Sequence, residues 1–343
     1  MMTQLQHTLP KECKAYLLRR GDGERYVFGR QVATIIADTA SGGGVFELAT
    51  IAGGKGEEFP VHLHENTYES ILVLEGRIEL MLDGAYYMLA PGDYAHIPPG
   101  VKHAYRMAAH RSAFASYTVP GRVSDMYRAL GEPYVYVEPP AEEHPTFGEE
   151  HLERASQAAD VAFTGELPQW GSANAGDHAH NPGLIAPYVI ENGEGERLLT
   201  GDQLHRLVAA QANTNGEYIF VLSDGPKGDP IVEHYHEHHT ETFFCLQGQM
   251  TMWANGEEIV LFPGDFLHVP AGTVHAYRLD THYTKVAGLL ASGLFEPFFR
   301  TLGEPYEPHA FPSVPGPLRM DRVMANMKNL DLHVVARSPL ERK

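Results

Sequence analysis

The chain lacks several features that would place it in a well-defined class of protein. It has only two cysteines among 343 residues, Cys13 and Cys245, which are too few for a disulfide framework. No apolar run approaches the roughly 20 residues of a transmembrane helix. The N-terminal residues also lack the basic start and apolar stretch of a secretory signal. We therefore expect a cytoplasmic protein with no membrane partner.

Positive charge is scarce as well. Lys and Arg number 26 against 44 Asp and Glu, which gives a formal net charge of −18. Because such a field repels phosphate backbones, we expect no nucleic-acid partner. Glycine, proline and histidine are plentiful, at 34, 24 and 20 residues. The first two favour many short strands joined by turns, and the histidines direct attention to metal sites.

The chain repeats itself at an offset of 172 residues. Without a gap, residues 56–107 and 228–279 share 19 identities in 52 positions. The same register extends in the first copy from about Tyr16 to Tyr134, and chance does not hold one register over that length. Since solenoid repeats are much shorter, the sequence indicates two copies of one domain.

Each copy has the pattern of a β-domain. Short apolar runs end in glycine, and the pairs Asp83-Gly84 and Asn255-Gly256 are typical of tight hairpin turns. We therefore expect an all-β protein of two jelly-roll barrels that arose by internal duplication, with a few short helices.

The segments outside the repeats predict the helices and the domain boundaries. One helix is expected over Pro145 to Ala159, and a terminal helix over Leu318 to Met327. The predicted domains are an N-terminal barrel (1–145), an inter-domain helix and linker (146–187), a C-terminal barrel (188–310) and a C-terminal extension with a short helix (311–343).

Four residues within each repeat have the spacing of metal ligands. His62 and His64 are two residues apart, so on a strand their imidazoles share one face. Glu69 follows on the next apolar run, and His103 follows a turn. Three imidazoles and a carboxylate suit a divalent first-row metal and leave coordination positions for a substrate or O₂. The predicted ligands in the two copies are His62, His64, Glu69, His103, His234, His236, Glu241 and His275.

Other histidines have a plainer interpretation. His178 and His180 form another His-x-His pair, but Ile185 stands where the matching glutamate would be. His96 and His268 repeat at the same offset yet lie outside the ligand spacing, so we interpret them as hydrogen-bonded structural residues. Four ligand-type residues that recur together in two copies are harder to explain without a metal.

The spacing of these residues resembles that of the cupin superfamily. The first cupin motif, G-x5-H-x-H-x4-E-x6-G, is matched over 56–76 and again over 228–248. The second motif, G-x5-P-x-G-x2-H-x3-N, is matched in both copies apart from its final Asn, which Met107 and Leu279 replace. The resemblance implies a bicupin, a chain with two metal-binding cupin barrels.

A closer resemblance is to the bacterial flavonol (quercetin 2,3-) dioxygenases, a family of bicupin enzymes. Residues 28–34, 198–206, 249–253 and 294–300 carry it. It implies that a flavonol such as quercetin binds one metal through its 3-hydroxyl oxygen, with Glu69 as ligand and general base. O₂ would then open the central ring to give a depside and carbon monoxide. The implied cofactor is one divalent transition metal per barrel, which could be Fe, Mn, Co, Ni or Cu.

The side chains next to the ligands predict an apolar pocket for a planar polyphenol. Alternate residues of a strand share a face, so the residues two and four positions after Glu69 and His103 lie next to these ligands. Few of them are charged. The bulkier Phe243 of the second copy is expected to narrow that cavity, so the first copy is favoured as the main catalytic site. The alternative is that these side chains are ordinary barrel filling. The predicted substrate-binding residues are Ile71, Val73, Tyr105 and Met107.

Two other functions remain open from the sequence. An oxalate decarboxylase-like bicupin would need a small polar pocket with a cationic group, and the apolar pocket positions count against it. A non-enzymatic cupin, either a storage protein or a ligand sensor, would not require two intact ligand sets. A homodimer is expected from base rates alone.

Overall fold

The computed structural model describes residues 8–142, 148–171 and 178–335. Over these residues the predicted all-β class with short helices is confirmed, since strands dominate both copies and the longest helix has ten residues. None of the helices in these ranges is long and apolar enough to cross a membrane.

Thirteen strands lie before residue 165 in the described chain. They are β1 (Tyr16–Leu18), β2 (Glu24–Phe28), β3 (Gln31–Ala37), β4 (Glu47–Gly53), β5 (Glu58–Leu63), β6 (Tyr68–Glu75), β7 (Ile78–Leu82), β8 (Ala85–Leu89), β9 (Tyr94–Ile97), β10 (His103–Met107), β11 (Ser112–Val119), β12 (Glu132–Pro133) and β13 (Ala162–Phe163).

The remaining described strands follow in the same succession. They are β14 (Tyr188–Ile190), β15 (Glu196–Thr200), β16 (Gln203–Ala209), β17 (Tyr218–Gly225), β18 (His234–Tyr235), β19 (Thr240–Gln247), β20 (Met250–Ala254), β21 (Glu257–Leu261), β22 (Phe266–Val269), β23 (His275–Leu279), β24 (Thr284–Ala291), β25 (Glu304–Pro305) and β26 (His333–Val334). The helices are α1 (Ser124–Leu130), α2 (Glu149–Ala158), α3 (Gln211–Thr214), α4 (Glu296–Leu302) and α5 (Met320–Asn326), with 3₁₀ turns at Gly293–Phe295 and Met327–Asn329.

The chain divides into two compact units. We call Gly21–Asn192 the first unit, and Met1–Arg20 together with Gly193–Lys343 the second unit. The division follows strand pairing: β1 pairs with β22 in the second unit, and β14 pairs with β9 in the first. The first strand of each repeat therefore completes the sheet of the unit that the other repeat forms. The domain boundaries expected from the sequence stay a prediction.

Each unit consists of one eight-stranded and one five-stranded antiparallel sheet. In the first unit the strand orders are β12-β2-β3-β4-β11-β6-β9-β14 and β13-β5-β10-β7-β8. In the second unit they are β25-β15-β16-β17-β24-β19-β22-β1 and β26-β18-β23-β20-β21. The two orders correspond strand for strand, so the sequence duplication is also a duplication of topology.

The predicted hairpin turns are confirmed. Asp83 and Gly84 have φ values of 50° and 78° between β7 and β8, and Asn255 and Gly256 have 49° and 86° between β20 and β21. A two-residue type I′ turn needs positive φ at both positions, which Asn, Asp and Gly tolerate better than other residues. These turns fix the register of the five-stranded sheets.

The predicted helices are present with shorter bounds. Helix α2 begins at Glu149 rather than at Pro145, which lies outside the described residues. Helix α5 begins and ends within two residues of the prediction, and its Val323 is fully buried against Leu198 and Phe299 in the core of the second unit. Each helix leads the chain to the edge of the five-stranded sheet of its own unit. There β13 pairs with β5 in the first unit, and β26 pairs with β18 in the second.

Candidate metal centres

Four predicted ligands of the first unit converge between its two sheets. His62 on β5 and His103 on β10 are opposite each other in register, and His64 directly follows β5. Glu69 reaches them from β6 in the eight-stranded sheet. One ligand atom from each residue lies within 4.8 Å of the others, and all four side chains are buried. We call this cluster the first centre.

The second unit repeats the arrangement with one difference. His234, His236 and His275 each place a ligand atom within 4.8 Å of the others. Glu241 contacts two of them, with Oε2 3.0 Å from Nε2 of His275 and Oε1 3.6 Å from Nε2 of His236. We call these four residues the second centre.

Every histidine of the two centres has its Nδ1 next to a backbone carbonyl. A carbonyl only accepts hydrogen bonds, so Nδ1 must carry the proton, and the neutral imidazole then directs a lone pair from Nε2 into the centre. This is the usual arrangement of a metal-binding histidine. The pairs are His62 with Pro60, His64 with Asp160, His103 with Val101, His234 with Val232, His236 with Asp331, and His275 with Thr273.

The donor atoms fit a divalent cation. In the first centre Nε2 of His103 lies 2.9 Å from Oε2 of Glu69, and Nε2 of His64 lies 3.5 Å from the same oxygen. Lone pairs that face each other at these distances need a proton or a cation between them. Among the described residues, the buried Nε2 atoms of His103 and His236 have no hydrogen-bond partner. Nitrogen and carboxylate donors of this kind suit a first-row transition metal.

The electrostatics of both centres favour the protonation states that ligands require. Burial, helped by the neighbouring imidazoles His103 and His64, lowers the pKa of His62 well below its usual value. Burial raises the pKa of the Glu69 carboxyl, but the imidazoles of His103 and His64 next to its oxygens outweigh burial and leave the pKa well below its usual range. The equivalent His234 and Glu241 show the same directions. These directions favour neutral imidazoles at His62 and His234 and an ionised carboxylate in each centre. At His64 burial lowers the pKa, but the neighbouring Glu69 carboxylate outweighs burial and raises it.

Two aspartates that the sequence analysis missed hold the ligand loops. The carboxylate of Asp160 accepts hydrogen bonds from the backbone N–H groups of Glu65 and Asn66, at 3.0 and 2.9 Å, and from the hydroxyl of Thr67 at 2.7 Å. Its own carbonyl positions His64. The only sequence signal was a lone acidic residue between apolar neighbours after a predicted helix.

In the second unit Asp331 takes the place of Asp160. Its carboxylate accepts from the backbone N–H groups of Glu237 and His238, both at 2.9 Å, and its Oδ2 lies 2.8 Å from Nδ1 of His239. His239 stands where the first unit has Thr67, and its buried Nε2 lies 3.7 Å from Oε1 of Glu241. The second centre therefore has an additional imidazole beside its carboxylate.

The other histidines occupy places outside the centres. His268 is fully buried, with Nε2 2.7 Å from the hydroxyl of Thr240, and His96 packs against the ring of Tyr188. His178 contacts Tyr87 and is not among the histidines of either centre. These positions agree with a structural interpretation of the three side chains.

A cavity of about 430 Å³ borders the second centre. Its size is within the usual range for sites that bind small molecules. His234, Glu241 and His275 form part of its wall, and most of the remaining wall is apolar. The apolar residues include Phe243, Leu279, Phe295, Phe298, Phe299 and Leu302, together with the ring of Tyr277.

The interior beside the first centre is packed with aromatic rings, since Phe28 contacts Phe59 and Tyr105 contacts both Phe59 and Phe114. A pocket of about 10 Å³, with room for about one water molecule, lies between β4 and β11 and is lined in part by Ser116 and Tyr127 but by none of the four ligands. The difference follows from side-chain volume at positions 172 residues apart. Four positions have a larger residue in the first unit than in the second. They are Phe28 against Thr200, Phe59 against Ile231, Phe114 against Val286, and Ser116 against Gly288.

The predicted substrate-binding residues lie in this filled interior. Tyr105 stacks on Phe59 with ring centroids 5.3 Å apart and meets the edge of Phe114 at 4.9 Å. Its hydroxyl donates to Gln31 at 2.9 Å. The remaining three, Ile71, Val73 and Met107, are each at most 1 % exposed.

The expectation that the first copy holds the main catalytic site disagrees with this packing. Phe243 does line the second cavity, but it does not close it, because the space comes from the smaller residues at other positions. The equivalents of Ile71, Tyr105 and Met107 in the second unit do line that cavity. The pocket positions counted along the strands thus border open space in the second copy.

The duplicated sheets and the two histidine–glutamate clusters define a bicupin with two metal-binding centres. A family model described as "Cupin domain" matches residues 50–115 and 214–286. Solved structures with the same fold include oxalate decarboxylase from Bacillus subtilis (TM-score 0.53, 14% identity, 84% of this chain and 78% of that chain). Another is procruciferin, an 11S globulin from Brassica napus (TM-score 0.55, 8% identity, 82% and 85%). These identities are low, so the two structures support the fold alone.

Sequence comparison is more specific. The chain is 56% identical over 335 residues to quercetin 2,3-dioxygenase of Bacillus subtilis (strain 168), covering 98% of this chain and 99% of the relative. It is 30% identical over 130 residues to quercetin 2,3-dioxygenase of Aspergillus japonicus, covering 36% and 37%. The chain belongs to the quercetin 2,3-dioxygenase family of bicupins.

Proposed function

We propose that this protein is a metal-dependent dioxygenase that cleaves the central ring of flavonols such as quercetin with O₂, giving a depside and carbon monoxide. The observation that carries the proposal is the apolar cavity of about 430 Å³ that ends on a buried three-histidine, one-glutamate centre. The cavity offers flat aromatic walls, which suit the fused rings of a flavonol. The full-length similarity to a quercetin 2,3-dioxygenase supports the same reaction.

The predicted eight ligands are proposed to hold one divalent metal in each unit. A bound metal supplies a Lewis acid for the 3-hydroxyl oxygen of the flavonol and an open position for O₂. Fe, Mn, Co, Ni and Cu all accept imidazole and carboxylate donors, so the donor set does not choose among them.

The carboxylate of the working centre is proposed to take the proton of the 3-hydroxyl group. Glu69 was expected to do so, and it stays a candidate together with the pocket residues of the first unit. Glu241 is better placed, because it borders the cavity, whereas both carboxylates are ionised and can accept a proton. The rings of Phe243 and Tyr277 would then hold the substrate plane against the centre and exclude water.

A decarboxylase of small dicarboxylates is less well supported. Such a substrate needs a cationic group to balance its second carboxylate. The described residues that line the cavity include no Lys or Arg, whereas Asp202 and Asp229 lie in its wall. Two acidic residues would repel an oxalate-like anion.

Location and assembly rest on the sequence alone. A cytoplasmic location, the absence of nucleic-acid and membrane partners, and a homodimer are all part of the proposal. They can be examined by size-exclusion chromatography and by localisation of the tagged protein.

The reaction can be tested on apoprotein loaded separately with Mn, Fe, Co, Ni and Cu. Quercetin is then added in air, and loss of its absorbance is followed together with release of carbon monoxide. Stoichiometric loss of quercetin with release of carbon monoxide supports the proposal. Full metal binding with no turnover for any metal contradicts it.

The working centre can be assigned with Glu69→Gln and Glu241→Gln, each compared at equal metal content. Loss of a general base typically lowers turnover by roughly 10²- to 10⁴-fold. We expect the larger loss in Glu241→Gln. A larger loss in Glu69→Gln would place the reaction in the first unit, as the sequence suggested.

A further inference from the structure

The wall of the second cavity contains a chain of three polar side chains away from the ligands. His205 on β16 is opposite Ser223 on β17, with Nδ1 2.8 Å from the Ser223 hydroxyl. On its other side, Nε2 of His205 lies 2.8 Å from the hydroxyl of Thr200. All three residues line the cavity, and His205 is 4 % exposed.

The fold does not require these polar groups. The equivalent residues of the first unit are Phe28, Ala33 and Ile51, which are apolar and buried in the same sheet. Burying polar groups costs free energy unless they are hydrogen-bonded. Since the same topology forms with apolar residues, the polar chain in a mostly apolar cavity points to a ligand.

The chain can exchange hydrogen bonds with one more hydroxyl group. Burial lowers the pKa of His205 to about 4, so its imidazole is neutral near pH 7, with one N–H and one lone pair. One neighbouring hydroxyl therefore donates to the ring, and the other accepts from it. The Thr200 hydroxyl also has the carbonyl oxygen of Gln203 at 3.5 Å as an acceptor, whereas the Ser223 hydroxyl keeps either an oxygen lone pair or its proton for a ligand. A phenolic hydroxyl both donates and accepts, so it matches either state of Ser223.

We infer that Thr200, His205 and Ser223 form a subsite that recognises a ring hydroxyl of the flavonol. The inference rests on the proposed function and adds a substrate class to it, namely flavonols with hydroxyl groups on an outer ring. A substrate without them leaves the three polar groups facing an apolar surface, which a hydrogen-bonding site penalises strongly.

The test compares quercetin, which has hydroxyls on both outer rings, with 3-hydroxyflavone, which has none there. The full-length metal-loaded protein is measured as wild type, Thr200→Val, Ser223→Ala and the double variant. The quantity compared is the ratio of kcat/KM for quercetin to that for 3-hydroxyflavone. The ratio of their dissociation constants under nitrogen, where no turnover occurs, is measured in parallel. Ile51→Val, at the position equivalent to Ser223 in the first unit, is the matched control.

We expect the double variant to lose roughly five- to tenfold of the preference for quercetin in both ratios, the effect of one or two hydrogen bonds. The control should keep the wild-type ratios. Equal losses for both substrates would mean that the residues act only on packing, and unchanged ratios would mean that no hydroxyl binds there. Either result overturns the subsite.

Failure of the subsite can be separated from failure of the proposed function. If the wild type turns over neither flavonol with any metal, the dioxygenase proposal fails. The binding ratio under nitrogen still decides whether the three residues discriminate the two ligands. If turnover is normal but the ratios do not depend on Thr200 and Ser223, the subsite alone is wrong.

Discussion

The hydroxyl of Ser116 donates a hydrogen bond of 2.5 Å to Oε1 of Glu69. The equivalent position in the second unit is Gly288, so the corresponding strand offers Glu241 no side-chain donor there. A donor to the ionised carboxylate lowers its affinity for a proton. The two centres thus share a ligand set but differ in what surrounds their carboxylates, which is the Ser116 hydroxyl in the first and the His239 imidazole in the second.

Gly288→Ser is expected to lower flavonol turnover by roughly tenfold and to shift the acidic limb of the pH–kcat profile to lower pH. The new hydroxyl would bind the Glu241 carboxylate as Ser116 binds Glu69, and one pKa unit corresponds to a tenfold change. Gly288→Ala is the matched control, because a Cβ at this position lies 3.3 Å from the carbonyl oxygen of Thr242 in either variant. If the two variants have the same pH profile, the hydroxyl is not responsible.

Val286→Phe is expected to weaken quercetin binding at least tenfold, because it places in the second cavity the ring that Phe114 places in the first unit. Binding is measured by titration under nitrogen, at a metal content verified to equal that of the wild type. The reciprocal Phe114→Val should lower the free energy of unfolding, by roughly 2 kcal/mol, without changing the quercetin affinity. Tighter binding in Phe114→Val would instead show that the first unit takes up the flavonol.

Asp160→Asn and Asp331→Asn are each expected to weaken metal binding about 10- to 100-fold, and only in the unit that carries the change. An amide has one oxygen acceptor where the carboxylate has two, so the loop after β5 or β18 loses a hydrogen bond that positions its histidine. Metal competition with a chelator measures the effect, with two populations of site resolved. Asp125→Asn on α1 is the charge-matched control, and an equal loss there would indicate a general effect of charge.

The stability of the apoprotein should fall between pH 6.5 and pH 4 because of His205. Its pKa is about 4 when folded and about 6.5 when unfolded, so over this interval only the unfolded chain binds the proton. The full contribution is present above pH 6.5 and is lost as the pH falls to 4, on the order of 3 kcal/mol. Urea unfolding of His205→Gln should show a smaller pH dependence than the wild type. The exposed His110→Gln serves as control, and a parallel loss there would refute the assignment.

Features set by residues close together in the chain could be predicted from the sequence, and features set by distant residues could not. The ligand pairs lie on strands or next to tight turns, so a spacing of two residues was enough to place His62 and His64 together. The turns at Asp83 and Asn255 were readable for the same reason, since local backbone geometry selects their residues. Asp160 was not readable, because it meets the loop that follows β5 from about 95 residues further along the chain.

The sequence also could not show which of the two centres has open space beside it. Counting along strands identified the residues beside the ligands, but the pocket also depends on strands that no local pattern connects. Phe28, Phe59 and Phe114 come from β2, β5 and β11, and they fill the first interior together. Phe243 appeared large enough to narrow the second cavity, yet it lines that cavity without closing it.

The sequence by itself determined the duplication, the two ligand sets and the hairpin framework, because each is written in residues that are close in the chain or repeated at one offset. The tertiary structure alone decided that the second centre borders a cavity while the first interior is packed, and that Ser116 binds one carboxylate and not the other. A cavity is the space left after the volumes of side chains from many strands are combined, and only the folded chain brings those side chains together.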